Sequence, residues 1–117
     1  MGETRPWSIE FYVTARGERP AEVYIAGLHA WERAAIAHDI DLLREFGVAV
    51  GMPTARHIDG SLWELRSGPH RVFYFIVTGR RCVLLCGYRK RGDKAPAREI
   101  ARARRYMADW REKERHG

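Results

Sequence analysis

Three short apolar runs, separated by turn-forming residues, constrain the fold of this chain more than any other feature of its sequence. The runs cover residues 62–66, 71–77 and 82–88, and the connections are Ser67-Gly68-Pro69 and Thr78-Gly79-Arg80. Short runs rich in aromatic and β-branched residues are typical of strands, and Gly and Pro between them are typical of turns. We therefore predict an antiparallel three-strand meander. The middle run is apolar on both faces, so we expect it to be covered on both sides.

Other patterns predict a strand and two helices before the meander and one helix after it. Residues 7–13 alternate apolar and polar side chains, which indicates a half-buried strand. Pro20 suits the first turn of a short helix, and a second helix over about 30–46 completes a helical hairpin. The predicted core stripe of that second helix is Ile36, Ile40, Leu43 and Phe46. Residues 48–60 are predicted as a connecting loop, and a last helix runs over about 96–110 before a charged, frayed tail.

Length and composition predict one globular domain of the α+β class, spanning residues 1–117. Hydrophobic residues make up 45% of the chain and charged residues 31%, which is ordinary for a soluble protein. No run approaches the roughly 18 apolar residues of a membrane span, and the first residues lack the layout of a secretory signal. We therefore expect a cytoplasmic protein with no membrane contact.

Cysteines and histidines give no sign of a metal or cofactor site. Cys82 and Cys86 are four residues apart in one predicted strand, so we expect them on the same face, about 13 Å apart at about 3.3 Å per residue. At that separation they cannot form a disulfide, and we predict two buried apolar cysteines. The five histidines form no zinc-binding motif. Phosphate-binding glycine loops and nucleophile elbows are also absent from the sequence, so we predict no metal and no cofactor.

Positive charge is concentrated in the second half of the chain. Residues 1–61 hold six arginines against nine acidic residues, a net charge of −3, whereas residues 62–117 hold fifteen lysines and arginines against six acidic residues, a net charge of +9. A positive charge concentrated in one half of the chain favours RNA, DNA or an acidic protein as the partner. A face that serves only solubility is the alternative that charge alone leaves open.

Arginine, lysine and tyrosine gathered on one sheet suit metal-independent RNA cleavage. RNA cuts itself when a 2′-OH attacks the adjacent phosphate, and a protein then needs to orient the strand, neutralise phosphoryl charge and move protons. Arginine forks bind phosphates, tyrosine rings stack on bases, and a lysine among other cations has a lowered pKa that suits proton transfer. The same residues are compatible with simple nucleic-acid binding, so the residue types alone leave both functions open.

Several segments, taken in order, resemble the RelE/ParE superfamily of toxins from type II toxin–antitoxin systems, most closely its phage-derived, HigB-like branch. They are Arg44-Glu45-Phe46-Gly47, Gly51-Met52-Pro53, Gly60 with Leu62-Trp63-Glu64-Leu65-Arg66, Arg71, residues 84–90 and Pro96-Ala97-Arg98-Glu99-Ile100. The resemblance implies a small α+β fold of the RelE, microbial-ribonuclease-like type. It further implies an mRNA interferase, a hydrolase that inhibits translation as a ribosome-dependent endoribonuclease acting on mRNA. The implied partners are mRNA, the ribosome and a cognate antitoxin, often a helix-turn-helix protein encoded beside the toxin.

The resemblance also assigns roles to individual residues. Arg66 and Arg71 match arginines that hold the scissile phosphate, Lys90 matches the first lysine of a glycine-aromatic-lysine segment, and Tyr88 stands at its aromatic position. We predict these four residues as catalytic. The residues predicted to bind RNA are Arg89, Arg91, Lys94, Tyr74 and His70. In this assignment the arginines stabilise the transition state, Lys90 assists proton transfer, and Tyr74 or Tyr88 stacks on a base.

Two positions depart from the family pattern, since Cys86 replaces a common histidine and Arg91 replaces the second lysine. Without that imidazole, acid–base work falls to Lys90, Lys94, Tyr88 or His70, or is relieved by ribosomal RNA.

Structural alternatives accompany each assignment. They are an ion pair of Arg66 with Glu64 or Glu10, non-specific phosphate steering by Lys90 and Arg91, a core position for Tyr74, and core burial of Trp31 and Trp110 rather than antitoxin contact. Two other functions also stay open: a ParE-like toxin that inhibits DNA gyrase by binding it, and a degenerate member that only binds its antitoxin.

Overall fold

The predicted helices and strands occur in the predicted order, with one additional strand between the helical hairpin and the meander. A computed structural model describes residues 6–92 and 94–117. The elements are β1 (Ser8–Phe11), α1 (Pro20–Ala26), α2 (Ala30–Phe46), a 3-10 turn (Gly47–Ala49), β2 (Ala55–Asp59), β3 (Leu62–Ser67), β4 (His70–Val77), β5 (Arg81–Arg89) and α3 (Ala97–His116). The α+β prediction, with its N-terminal strand, helical hairpin, meander and last helix, is confirmed.

All five strands belong to one sheet, in the order β1-β5-β4-β3-β2. Strands β2 to β5 pair antiparallel, and β1 joins the edge of the sheet parallel to β5. The register places Arg66 of β3 opposite Arg71 of β4, and Arg71 opposite Tyr88 of β5. These three residues therefore form a row across the sheet, close to the turn that joins β3 to β4.

Helices cover both faces of the sheet. On one face α1 and α2 pack against the strands, through a cluster made up of Ala21, Ile36, Ile40, Leu43, Ala55, Leu65, Val72, Tyr74 and Leu84. On the other face α3 packs against a second cluster, which includes Leu62, Phe73, Phe75, Val83, Leu85, Cys86, Tyr88 and Ala103. We call these the hairpin face and the α3 face. Because successive strand residues point to opposite faces, β4 contributes large side chains to both clusters, as expected for a central strand.

A β-bulge in β5 separates the two cysteines. Phe73 pairs with Cys86 but Tyr74 pairs with Leu84, so one additional residue of β5 lies between the two pairs. Cys86 belongs to the cluster on the α3 face, whereas Cys82 pairs with Ile76, which packs on the hairpin face. The prediction that both cysteines share a face is therefore wrong. Both thiols are free and buried, as predicted, and burial raises the pKa of each to about 11.

Three further expectations are corrected. The segment predicted as a connecting loop contains β2, an edge strand that the sequence pattern did not reveal. Helix α3 continues to His116 instead of ending in a frayed tail. Phe46 is 48% exposed rather than part of the core stripe, and Trp31 is 72% exposed, whereas Trp110 packs against the α3-face cluster. In the two described stretches, no helix combines the length and the apolar character needed to cross a membrane.

Candidate active site

Arg66 and Arg71 lie side by side at one end of the sheet. Arg66 is near the end of β3 and Arg71 near the start of β4, and the two residues are cross-strand partners. The short turn between them includes Gly68, which has a φ of +56° that is natural for glycine. Cross-strand partners share a face and have Cβ atoms about 4.5–5.5 Å apart. Two cationic side chains therefore leave the sheet from neighbouring points.

Arg71 is held in a fixed position despite its charge. Its side chain is almost fully buried, and Nη1 donates to the carbonyl oxygens of Gly68 at 2.6 Å and His70 at 3.0 Å. Its Nε lies 3.7 Å from Oε1 of Glu64. Burial and the nearby Arg66 lower the pKa of Arg71, and Glu64 opposes that shift. An arginine still stays protonated, so the site keeps a positive charge that is shielded from water.

Glu64 connects Arg71 to Tyr88. This carboxylate is 2% exposed, and its second oxygen accepts a hydrogen bond of 3.2 Å from the Tyr88 hydroxyl. Burial, followed by the charge of Glu64, raises the pKa of Tyr88, so its hydroxyl keeps its proton and remains a donor. Sequence reasoning treated Glu64 only as an alternative partner for Arg66. The pattern did contain a signal, since Glu64 is two residues from Arg66 and therefore lies on the same face of β3.

A cleft opens in front of the two arginines. It measures about 280 Å³ and is lined by Pro53, Thr54, Arg66, Gly68 and Arg71. The Nε atoms of Arg66 and Arg71 are buried and have no hydrogen-bond partner among the described residues. A buried guanidinium nitrogen without a partner is costly, and an oxyanion in the cleft could satisfy it. The Arg66 side chain instead contacts Met52, through Nη1 and Sδ at 3.7 Å.

The ion pairs suggested for Arg66 are not formed among the described residues. Glu64 faces Arg71, and Glu10 accepts two hydrogen bonds from Arg81, at 2.5 and 3.0 Å. Within residues 6–92 and 94–117, Arg66 thus has no carboxylate within 4.0 Å.

The backbone brings Lys90 to the same end of the sheet. Its backbone N–H donates to the carbonyl oxygen of Pro69 at 2.8 Å, which ties the end of β5 to the turn between β3 and β4. Lys90 is half-buried, and the exposed residues Arg91 and Lys94 follow it on the way to α3. Lys90 therefore lies at the end of the sheet that carries the cleft, and the other two predicted cations follow it in the chain.

Three other predicted residues lie on the hairpin face instead. Tyr74 is 2% exposed and belongs to the core, so it has no free ring face and the prediction that it contacts RNA is wrong. His70 is buried between the Tyr24 hydroxyl and Glu32, with both ring nitrogens 2.6 Å from these partners, so the prediction that it contacts RNA is wrong, while the acid–base role considered for it stays a prediction. Arg89 is the cross-strand partner of His70 and lies 3.7 Å from Glu32.

Tyr88 and Cys86 support the site from within the core. Tyr88 is 6% exposed, stacks on Phe73 at 5.5 Å and does not line the cleft, so the prediction that it stacks on a base is wrong. Cys86 is fully buried with a raised pKa, so it cannot replace the histidine that the resemblance leads one to expect as a proton carrier. The polar groups at the cleft itself are guanidinium, hydroxyl and backbone groups.

Metal-ligating side chains do not gather at this site. Within the part of the chain that the structure describes, no group of three or more His, Cys, Asp or Glu residues could hold a metal ion. The chemistry that the cleft can perform with its own side chains is anion binding and charge neutralisation.

Comparison with known proteins gives a matching family and a solved structure of similar fold. The model of a family described as phage derived protein Gp49-like matches residues 23–108. The crystal structure of the toxin–antitoxin complex RelBE2 from Mycobacterium tuberculosis contains a chain that is similar with a TM-score of 0.53 and 24% sequence identity, over 78% of this chain and 98% of that chain. At this identity the likeness shows the fold alone. No curated protein matched this sequence.

Proposed function

Because the chain belongs to the family of phage-derived Gp49-like proteins, we propose that it is the toxin of a type II toxin–antitoxin system and cuts mRNA on the ribosome. The observation that carries this proposal is the pairing of Arg66 with Arg71 across β3 and β4 beside one cleft, where neither Nε atom has a hydrogen bond among the described residues. Two adjacent guanidinium groups repel each other in the free protein. A phosphodiester between them removes that repulsion and accepts their hydrogen bonds.

The reaction that fits this cleft is transfer of the phosphoryl group to the neighbouring 2′-oxygen. The 2′-OH loses its proton and attacks phosphorus, the bond to the 5′-oxygen breaks, and the 5′-oxygen takes up a proton. Negative charge grows on the two non-bridging oxygens as the new bond forms. Arg66 and Arg71 stabilise that charge in a place partly closed to water, where electrostatic interactions are strong.

Proton transfer is assigned to groups at the rim of the cleft. Tyr88 is buried and its hydroxyl donates to Glu64, so it acts by holding Glu64 in place. Lys90 is a predicted cation whose backbone is fixed to the turn that borders the cleft. In this proposal Lys90 neutralises charge or carries a proton, and Arg91 and Lys94 steer the RNA backbone towards the arginines.

The proposal includes a protein partner. A toxin of this kind is held inactive by a cognate antitoxin, and the solved fold that this chain resembles comes from a toxin–antitoxin complex. We propose an antitoxin encoded beside this chain, and the cytoplasm as the place where both meet the ribosome.

The test is cleavage of mRNA in a translating extract, with cut sites mapped by primer extension. Arg66→Gln and Arg71→Lys are expected to lower the cleavage rate by about 10²–10³-fold, the usual loss when a single transition-state contact is removed. Arg16→Gln is the matched control, because Arg16 is an exposed arginine in the loop after β1, at the opposite edge of the sheet from β2. Thermal melts confirm that each variant is folded.

Cleavage at wild-type rates by both arginine variants would refute the assignment of the site. Relaxed plasmid DNA without any new mRNA ends would instead support the gyrase alternative. Binding of the antitoxin with neither effect would support a degenerate family member.

A further inference from the structure

A second cleft lies beside the first one, between β2 and the start of α3. It measures about 260 Å³ and is lined by Arg56, His57, Ile58, Lys94, Ala95 and Ile100. Ile58, Ala95 and Ile100 also pack against the cluster on the α3 face, so the floor of this cleft is apolar. Arg56 and Lys94 are exposed, and they make its rim basic. A basic rim around an apolar floor suits a ligand that carries charge on one side and a ring on the other.

The register of the sheet fixes the distance between the two clefts. Arg56 is the cross-strand partner of Glu64, and Arg66 is two residues further along β3 on the same face. Arg56 and Arg66 are therefore diagonal neighbours, which have Cα atoms about 7–8 Å apart. The charge of Arg56 also contributes to the lowered pKa of Arg71. The two clefts thus belong to one continuous basic surface, with cations repeated along it at short intervals.

Most other arginines of the chain form ion pairs, whereas Arg56, Lys94 and Arg66 do not form one among the described residues. On α3, Arg104 pairs with Asp59 and Arg102 pairs with Glu99. Arg56 and Lys94 have no carboxylate within 4.0 Å among residues 6–92 and 94–117, and neither does Arg66. A cation that is already paired gains little from a phosphate, whereas an unpaired exposed cation releases counterions when it binds one. Arg56 and Lys94 of the second cleft and Arg66 of the first have kept this capacity.

We propose that the second cleft is a subsite for the neighbouring nucleotide of the same RNA strand. Arg56 and Lys94 bind the phosphodiester next to the scissile one, and the apolar floor receives the sugar or base that lies between the two phosphates. A single strand of RNA fits better than a protein here, because the cations repeat at short intervals while the surface between them is apolar. This subsite rests on the proposed function, since it takes the cleft of Arg66 and Arg71 as the place of the scissile phosphate.

The experiment compares RNA ligands with one and with two phosphodiesters. The probes are a dinucleotide and a trinucleotide of 2′-O-methyl RNA without terminal phosphates, which cannot be cut because the attacking hydroxyl is blocked. Dissociation constants are measured by NMR titration at low salt. The wild-type protein is expected to bind the trinucleotide at least about tenfold more tightly, the gain from one charge-assisted phosphate contact. Arg56→Gln/Lys94→Gln is expected to lose most of that gain and to bind the dinucleotide normally.

A charge-matched double variant is the control. Arg16→Gln/Arg33→Gln removes two exposed cations that lie in the loop after β1 and on α2, away from both clefts. This control variant should bind the trinucleotide more tightly than the dinucleotide by the same factor as the wild type. For longer RNA, the slope of log K against log salt is expected to be shallower by about 0.7 in Arg56→Gln/Lys94→Gln, since one phosphate contact is lost.

The outcomes distinguish this inference from the proposed function. The subsite is overturned if affinity rises equally from dinucleotide to trinucleotide in the wild type and in Arg56→Gln/Lys94→Gln. In that case, mRNA cleavage in the extract would still support the proposed function. A wild type that binds neither probe also overturns the subsite. If the extract shows no cleavage either, the proposed function fails as well. Loss of antitoxin binding by this double variant, with RNA binding unchanged, would assign the surface to a protein.

Discussion

Replacing Glu64 by alanine is expected to lower the free energy of unfolding by about 3–5 kcal/mol. The side chains of Glu64 and Arg71 are 3% and 7% exposed, so removing the carboxylate leaves a guanidinium buried without its counter-charge. Arg66 is the cross-strand partner of Arg71, so its positive charge repels the Arg71 guanidinium as well. The Tyr88 hydroxyl loses its acceptor at the same time, although these losses share one cluster and are not additive.

The Glu64 series separates the charge from the hydrogen bond. Glu64→Gln keeps an acceptor for the Tyr88 hydroxyl and removes only the charge, so its cost should be smaller than that of alanine. Removing both charges in Glu64→Leu/Arg71→Met should restore most of the lost stability, because buried pairs are often replaceable by apolar residues of similar volume.

Urea unfolding and thermal melts measure these differences. A loss of 3–5 kcal/mol corresponds to a fall in Tm of roughly 10–20 °C in a domain of this size. The reasoning is refuted if Glu64→Ala costs as much in an Arg71→Met background as it does in the wild type. Such additivity would mean that the carboxylate stabilises the fold without acting through the arginine.

Two further predictions concern the hairpin face. Gly87→Ala would place a Cβ 2.6 Å from Cδ2 of Tyr24, so it is expected to cost about 1–3 kcal/mol in urea unfolding, and a smaller side chain in Tyr24→Leu should recover part of the loss. The hydrogen bond from His70 lowers the pKa of Glu32, so ionised Glu32 stabilises the fold above the unfolded pKa of about 4.3, and this contribution is lost as the pH falls through the folded pKa. The Tm gap between the wild type and Glu32→Gln should therefore narrow from pH 6 to pH 3. A constant gap would show that the ionisation of Glu32 does not contribute.

The sequence was sufficient to predict the elements that have a strong period or a clear turn. The meander, both helices of the hairpin and the start of α3 follow from apolar spacing together with residues such as Pro20 and Gly68. Strand β2 was missed because it is a short edge strand in which Arg56 and His57 are exposed, so it shows no alternation of apolar and polar residues. The C-terminal end of α3 was not predicted because its side chains are mostly charged, and their contacts, such as Lys113 with Asp109 and Glu114 with Arg81, are ones that a search for apolar periods does not detect.

The candidate site was predictable only in part. The adjacency of Arg66 and Arg71 follows from two strands joined by a tight turn, and the sequence contains that information. Burial does not follow from residue type. For this reason the sequence predicts RNA contacts for Tyr74 and His70, although both side chains lie in the interior. The subsite at Arg56 could not be foreseen, because it depends on β2 pairing with β3.

The bulge in β5 determines which residue of this strand lies opposite Arg71. With the additional residue between Leu84 and Cys86, Tyr88 comes to lie opposite Arg71. In a β5 of the same length without the bulge, Leu85 would pair with Phe73, so Gly87 would lie opposite Arg71 and the tyrosine ring would turn to the other side of the sheet. An in-frame deletion of Leu85 would remove the bulge and leave Tyr88 opposite Arg71, so the support of the arginine pair depends on Leu85 staying outside the ladder rather than on its presence in the strand.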